Sequence, residues 1–227
     1  LEVKDTHRFF ANNILVHNTD SIFVNTGKED IKEAEKIGKE LEIYINEFYN
    51  NYVVDYKRES FLELEFEKAF KKFLMPKVRG SEKGAKKRYA GLIEKDGKEE
   101  ITITGLEFVR RDWTDVSKKF QMDLLEHIFH DQPIDDYIKE FVDDLKNGKM
   151  DSLLVYKKAI RKMVSEYTKT TPPHIKAARK VGREKPGLIE YVMTVNGPEI
   201  IEENPSKLDY DHYIEKQIKP IADSILS

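Results

Sequence analysis

The sequence contains no cysteine. That excludes disulfides, thiolate metal sites and a cysteine nucleophile, and it fits a cytosolic chain. No apolar run approaches the roughly 20 residues that a membrane-spanning helix needs. The first residues, Leu1-Glu2-Val3-Lys4-Asp5, lack the basic and apolar regions of a secretory signal. They also lack an initiator methionine, so a fragment or a processed product is expected. Internal repeats and low-complexity linkers are missing as well. What remains is 227 residues, 39% hydrophobic and 36% charged, enough for one or two domains with real cores.

Net charge is small too, at −3, yet its distribution is uneven. Residues 71–88 carry eight Lys or Arg (Lys71, Lys72, Lys77, Arg79, Lys83, Lys86, Lys87, Arg88) against Glu82 alone. Residues 157–185 carry ten against Glu166 and Glu184. Acid collects in 131–151 and 199–227. Local fields decide where a polyanion docks, so two basic runs are candidate nucleic-acid surfaces. The plainer alternative is two solvated charged faces.

Periodicity orders the rest. Arg8-Phe9-Phe10-Ala11 and Ile14-Leu15-Val16 flank Asn12-Asn13, which predicts a hairpin. Ser21-Ile22-Phe23-Val24 reads as a strand ended by Thr26-Gly27. Ile31, Ala34, Ile37, Leu41, Ile45, Phe48 and Tyr52 recur at helical steps and predict a long helix with one buried stripe. Phe61 to Glu67 alternates with period two, a predicted strand with Glu63, Glu65 and Glu67 on one face. Gly84 to Ile93 and Ile101 to Thr104 predict two strands joined at Asp96-Gly97. Beyond Trp113 the pattern is mostly helical. A first helix carries Trp113, Val116, Phe120, Leu124 and Ile128, with Asp112 as N-cap. Further helices are expected over 135–147, with Gly148 at the C-cap, and over 153–167, 174–181 and 210–226. Leu188–Val195 and Glu199–Ile201 predict a strand pair around Asn196-Gly197.

Two chemistries meet at Val16 to Val24. Asp20 heads an apolar run, as a metal-binding carboxylate does at a sheet edge. In His17-Asn18-Thr19, the Asn18 carboxamide can attack its own carbonyl, His17 can move protons and Thr19 offers a hydroxyl nucleophile. The run Asp5-Thr6-His7-Arg8-Phe9-Phe10-Ala11-Asn12-Asn13-Ile14-Leu15-Val16-His17-Asn18 resembles the C-terminal end of an intein. The resemblance implies that Asn18 cyclises to a succinimide and breaks its own peptide bond. Thr19 then carries the branched ester while His17, and more remotely His7, assist. The N-terminal part of an intein is not present, so splicing from this chain alone is not expected.

From Thr19 onward a second resemblance holds. Thr19-Asp20-Ser21, Leu64-Glu65-Phe66-Glu67, Phe73-Leu74-Met75-Pro76, Lys86 to Leu92, Thr104-Gly105-Leu106-Glu107 and Val109-Arg110-Arg111-Asp112-Trp113 stand in the order and spacing of a family B DNA polymerase palm. The family's metal motif is Asp-Thr-Asp, and its inteins interrupt that motif before the Thr. One insertion point therefore explains both halves of the junction. The implied fold is α+β. A short β remnant of a Hint-type intein (1–18) precedes an antiparallel palm sheet with packed helices (19–112) and a mainly α-helical thumb (113–227).

The implied activity is template-directed nucleotide addition to a primer hydroxyl, in DNA replication or repair, from deoxynucleoside triphosphates. It uses two Mg²⁺ ions that stabilise the attacking and leaving oxygens. By resemblance Asp20 binds both ions, and Glu65 and Glu67 tune the site or hold another ion. The remaining acids come from an N-terminal polymerase half that carries the N-terminal intein part. Lys87, Arg88 and Tyr89 match the motif near the primer–template minor groove, with Arg110 and Arg111 lining the duplex. Lys157, Lys158, Arg161, Lys162, Lys176, Arg179 and Lys180 are the expected phosphate contacts of the thumb. His174 lacks a partner His or Cys and reads as structural or phosphate-contacting. A sliding clamp is a partner of full-length members, but no clamp motif is visible and none is assigned. The expected location is cytoplasmic, at the nucleoid. Two rivals stay open: a non-catalytic, sequence-neutral DNA-binding module, and a standalone metal nuclease using Asp20 and the glutamates.

Overall fold

Two short apolar alternations meet at Asp96-Gly97, and both turn residues take positive φ (53° and 74°). Such a pair matches the right-handed twist of its flanking strands. In the computed structural model it joins Tyr89–Lys95 to Lys98–Thr104, paired antiparallel from Tyr89↔Thr104 to Lys95↔Lys98. Described are residues 22–77, 87–110, 113–169 and 171–226, with the backbone alone of 8–11 and 14–17.

The strands number eight among these residues. Arg8–Ala11 (β1) and Ile14–His17 (β2) pair antiparallel, in register Arg8↔His17 to Ala11↔Ile14, as the hairpin reading expects. Lys72–Leu74 (β3), Tyr89–Lys95 (β4) and Lys98–Thr104 (β5) form one sheet in the order β3-β4-β5. Tyr156–Ile160 (β6), Gly187–Thr194 (β7) and Gly197–Ile200 (β8) form another. The helices are Ile31–Val54 (α1), Asp115–Phe129 (α2), Ile134–Lys146 (α3), Pro173–Lys180 (α4), Tyr210–Tyr213 (α5) and Lys219–Leu226 (α6). A π-helical turn, Ile214–Ile218, links the last two. Pro220 explains it: proline has no N–H to give to the carbonyl four residues back and its ring crowds that carbonyl, so the helix widens there. No described helix is long and apolar enough to cross a membrane.

The chain divides into two compact units after Ala69. In the first, α1 is the long helix that the spacing predicts, begun by Asp30, whose side chain accepts from Lys32 N–H at 2.8 Å. Its stripe is not a core, however. No residue of α1 is buried, and Phe48 and Tyr52 stand 52% and 56% exposed. Nor is 61–67 a strand: it runs along α1 without a ladder partner. Side chains of α1 take the place of a neighbouring strand. Asn46 Oδ1 accepts from Leu64 N–H and its amide donates to Leu64 O, both at 2.8 Å, while Glu42 accepts from Phe66 N–H at 2.9 Å. The alternation survives as exposure, with Leu64 and Phe66 half-buried and Glu63, Glu65 and Glu67 outside. Ile22, Phe23 and Val24 are likewise outside any strand and exposed.

The second unit has two adjoining cores. The larger gathers Ala90 and Leu92 of β4, Leu106, Val116, Phe120, Leu124 and Leu125 of α2, Phe141 and Leu145 of α3, and Tyr213, Ile218 and Ile221 of the C-terminal helix. The expected division between 112 and 113 falls inside this core. The α2 stripe is as predicted, but the helix begins two residues later, with Thr114 at the N-cap. α3 closes on Asn147 with Gly148 beyond it; Gly148 N–H donates to Leu145 O and Lys149 N–H to Asp144 O, both at 3.1 Å.

The smaller core packs Ile175, Ala177 and Ala178 of α4 onto Ile160, Ile189, Tyr191 and Ile200. Here the expected helix over 153–167 is overturned. That segment holds a 3₁₀ turn (Asp151–Leu153), β6, and a second 3₁₀ turn (Val164–Glu166). β6 is held by pairing with β7, from Tyr156↔Tyr191 to Ile160↔Gly187, so tertiary pairing overrides a helix-favouring run of lysines. The expected 188–195 and 199–201 pair is present as β7 and β8.

An exposed ion network ties β4 and β5 to the end of α2. Lys71 reaches Glu94 at 2.5 Å and Glu99 at 3.2 Å, and Glu99 also meets His130 Nε2 at 3.1 Å. His130 Nδ1 is 2.9 Å from Glu126 O, and this backbone contact, then Glu99, raises the imidazole pKa. Lys71 and His130 hold Glu99 below the usual carboxylate range. A raised folded pKa adds stability that is complete below the ordinary histidine value and is lost as pH rises through the folded one. A lowered carboxylate works in the opposite direction and is lost as pH falls. His130→Gln is therefore expected to flatten the loss of stability between weakly acidic and weakly alkaline pH. Urea midpoints at several pH values check this.

Candidate nucleic-acid interface

The junction residues Asn18, Thr19 and Asp20 lie outside the described residues, as do His7 and Arg111. His17 closes β2 opposite Arg8. Glu65 and Glu67 stand exposed on the segment that follows α1, and Glu67 pairs with Lys68 at 3.1 Å. Hard carboxylate oxygens suit magnesium, but two do not complete its shell. Among the described residues no group of three His, Cys, Asp or Glu is placed to hold a metal ion. A magnesium site therefore does not follow from the described residues by themselves.

The first basic run ends in a built corner. Lys87 takes a left-handed backbone, φ +62°, directly before β4. Its carbonyl sits against Gly105, itself at φ +64°, where an added Cβ would lie 2.0 Å from Lys87 O. Only glycine admits that approach. Arg88 turns inward rather than to solvent. Its guanidinium donates to Glu107 Oε1 at 2.6 Å, and Glu107 is buried. The Gln121 amide of α2 donates to Glu107 Oε2 at 3.0 Å and its Oε1 accepts from Phe108 N–H at 2.5 Å. The chain Arg88–Glu107–Gln121 thus pins the corner to α2. Tyr89 joins an aromatic group, with ring centres 5.5 Å from Phe73 and 6.3 Å from Phe70. Arg110 lies over the Trp113 ring at 6.0 Å.

The second run splits by role. Arg179 donates to Tyr167 O at 2.8 Å, Val164 O at 3.3 Å and Thr171 Oγ1 at 3.3 Å, stapling α4 to the preceding loop. Lys180 donates to Asn196 O at 2.8 Å and pairs with Glu199 at 3.3 Å, bracing the β7–β8 turn. Lys162 donates to Glu166 O at 3.0 Å and lies over the Tyr167 ring at 4.8 Å. Lys157 pairs with Glu190 at 3.0 Å, which raises its pKa. Lys158, Arg161 and Lys176 carry side chains that make no hydrogen bond or ion pair among the described residues. Lys158 is half-buried, and Arg161 and Lys176 are exposed. Burial lowers the His174 pKa, and nearby Lys158 adds to the effect. The pattern of the sequence separates none of these roles, because, Lys162 apart, the bracing contacts join residues eight or more positions apart.

A buried polar chain escapes sequence reasoning altogether. Thr114 and Ser117 of α2 both donate to Gln217 Oε1, and the Gln217 amide donates to Tyr156 Oη. Tyr156 Oη lies 3.1 Å from His212 Nε2. Its only outward signals, a Thr and a Ser at a helix start, read as caps.

A family model described as DNA polymerase family B matches residues 10–227. The chain is 41% identical over 225 residues to DNA polymerase II of Escherichia coli (strain K12), covering 94% of this chain and 29% of that protein. It is 34% identical over 244 residues to a DNA polymerase of Thermococcus aggregans, covering 100% of this chain and 12% of that one. Among solved structures, the family B DNA polymerase of the hyperthermophilic archaeon Pyrobaculum calidifontis matches at a TM-score of 0.56 and 28% identity, over 78% of this chain and 23% of the other. The chain thus spans less than a third of the length of these curated relatives.

Proposed function

The chain belongs to DNA polymerase family B, and from that membership we propose that it supplies the end of the palm (19–112) and the thumb (113–227) of a DNA-directed DNA polymerase. The observation that carries this is the family match over 10–227, together with 41% identity to the Escherichia coli enzyme along nearly the whole chain. Since these relatives are more than three times longer, the activity belongs to the chain joined to an upstream half.

Residues 1–18 are read as the C-terminal piece of an intein, removed by cleavage at Asn18 and joining at Thr19. Two facts support this. The Thermococcus aggregans match extends over the first eighteen residues as well as the rest. That protein is also more than twice as long as the Escherichia coli one, since the same chain covers 12% of it against 29%. Extra length is what inserted inteins add.

Asp20 is the proposed Mg²⁺ ligand, completed by acids from the upstream half, with Glu65 and Glu67 nearby in role. Lys87 and Tyr89 face the primer–template, and Arg88 acts through its bond to Glu107 by fixing that corner. The grip on phosphates falls to Lys158, Arg161 and Lys176, three side chains of the second run that make no hydrogen bond or ion pair among the described residues. Arg179, Lys180 and Lys162 support the surface that presents them.

Phosphate contacts release counterions, so log Kd for a hairpin duplex is expected to rise linearly with log salt concentration. Each lost contact removes about 0.9 from that slope. Lys176→Ala is expected to lower the slope by about one and to weaken all sequences alike. Fluorescence anisotropy across a salt series checks it; an unchanged slope in Lys176→Ala, Arg161→Ala and Lys158→Ala alike rejects this grip.

A further inference from the structure

Between the two cores of the second unit lies a cavity of about 230 Å³. Trp113, Tyr156, Tyr191, Met193, His212 and Lys216 line it. We propose that it receives one unpaired nucleobase of a bound DNA strand, with the attached phosphate at Lys216. The inference rests on the DNA-binding reading above and extends it from paired to unpaired DNA.

The walls are aromatic. Tyr156 and Tyr191 stack at 5.1 Å with 12° between their planes. Trp113 adds an indole that Arg110 approaches at 6.0 Å. Flat, electron-rich walls with cations beside them favour a flat ring that carries an anion. The volume is below the several hundred Å³ of a pocket for a whole drug-sized ligand. A base fits such a space, and its sugar and phosphate stay outside. Lys216 is exposed at the rim, and its ammonium makes no hydrogen bond or ion pair among the described residues. Lys158 shares a face of β6 with Tyr156, two residues along the strand, so a second cation lies on the same side.

The polar wall is already spent. Gln217 Oε1 accepts from Thr114 and Ser117, and its amide donates to Tyr156 Oη. The Tyr156 hydroxyl hydrogen is therefore left for His212 Nε2, which accepts it, placing the imidazole proton on Nδ1. Burial, which lowers the His212 pKa, favours the same neutral ring. No buried polar side-chain atom among the described residues is left without a partner. The cavity thus offers stacking and charge but no code for base edges. It takes any base, and purines more tightly than pyrimidines because they stack over more area.

Trp113 is the one tryptophan of the chain, so its fluorescence reports the cavity directly. The full chain is titrated with a blunt hairpin duplex, with the same hairpin bearing a three-adenosine tail, and with that tail made abasic. The adenosine tail is expected to quench Trp113 and to bind about fivefold or more tighter than the abasic tail. Lys216→Glu should abolish that gain while blunt-hairpin affinity stays within about twofold. Equal affinity and quenching for adenosine and abasic tails would overturn the inference and leave the duplex grip intact. Binding of the tailed hairpin with quenching, but none of the blunt one, would support the cavity and reject the grip. No binding of any hairpin would reject both.

Discussion

Asp20→Ala in the rejoined enzyme is expected to lower primer extension by about a thousandfold or more, a loss of about 4 kcal/mol of transition-state stabilisation. A carboxylate at a divalent-ion site is not replaceable by a methyl group or by water at the right distance, since its charge is part of what holds the ion. Asp20→Asn keeps the size and loses the charge, so it should fall nearly as far. Both variants should keep hairpin affinity, because the basic surface lies elsewhere in the chain. Splicing also should continue, since the proposed splicing step falls on Asn18 and Thr19. A variant that splices, binds DNA and extends primers at the unaltered rate would remove Asp20 from the metal site.

Gln217→Leu is expected to destabilise the second unit by about 3 kcal/mol. Gln217 is 4% exposed, and three hydroxyls converge on its amide. Leucine removes both the acceptor for Thr114 and Ser117 and the donor for Tyr156. A buried polar group left unpaired costs about 1–3 kcal/mol, which is more than a formed bond contributes. Thr114 and Ser117 still have each other at 3.1 Å, so the loss is less than three full penalties. Gln217→Glu tests the chain differently: its carboxylate still accepts from Thr114 and Ser117 but has no donor for Tyr156. Urea unfolding followed by Trp113 fluorescence reads both variants, because Trp113 precedes Thr114 at the start of α2. A Gln217→Leu midpoint equal to that of the unaltered chain would show that the amide is dispensable.

Periodicity made most helices and the hairpins legible. The spacing of Val116, Phe120 and Leu124 is that of α2, and the Asp96-Gly97 pair is that of the β4–β5 turn. What it did not reveal is where backbone partners lie. Leu62, Leu64 and Phe66 alternate as a strand does, yet their segment bonds to Asn46 and Glu42 of α1. Residues 153–167 carry helix-favouring lysines, yet Tyr156–Ile160 is extended because β7 pairs with it. Charge runs were legible as runs, not as roles. Arg179 and Lys180 look like Lys176 in sequence, but their donors are committed to Tyr167 O and Asn196 O. Those contacts join residues more than ten positions apart, and no local pattern encodes them. The junction chemistry of Asn18, Thr19 and Asp20 rests on sequence and on the family alone.

The most direct test uses three samples in one primer-extension assay: this chain, the upstream half with its intein part, and the two mixed. The mixture is expected to yield a spliced product that lacks residues 1–18 and extends a primer, while neither half extends it alone. Nucleotide addition by this chain unaided, or a spliced product that copies no DNA, would contradict the account.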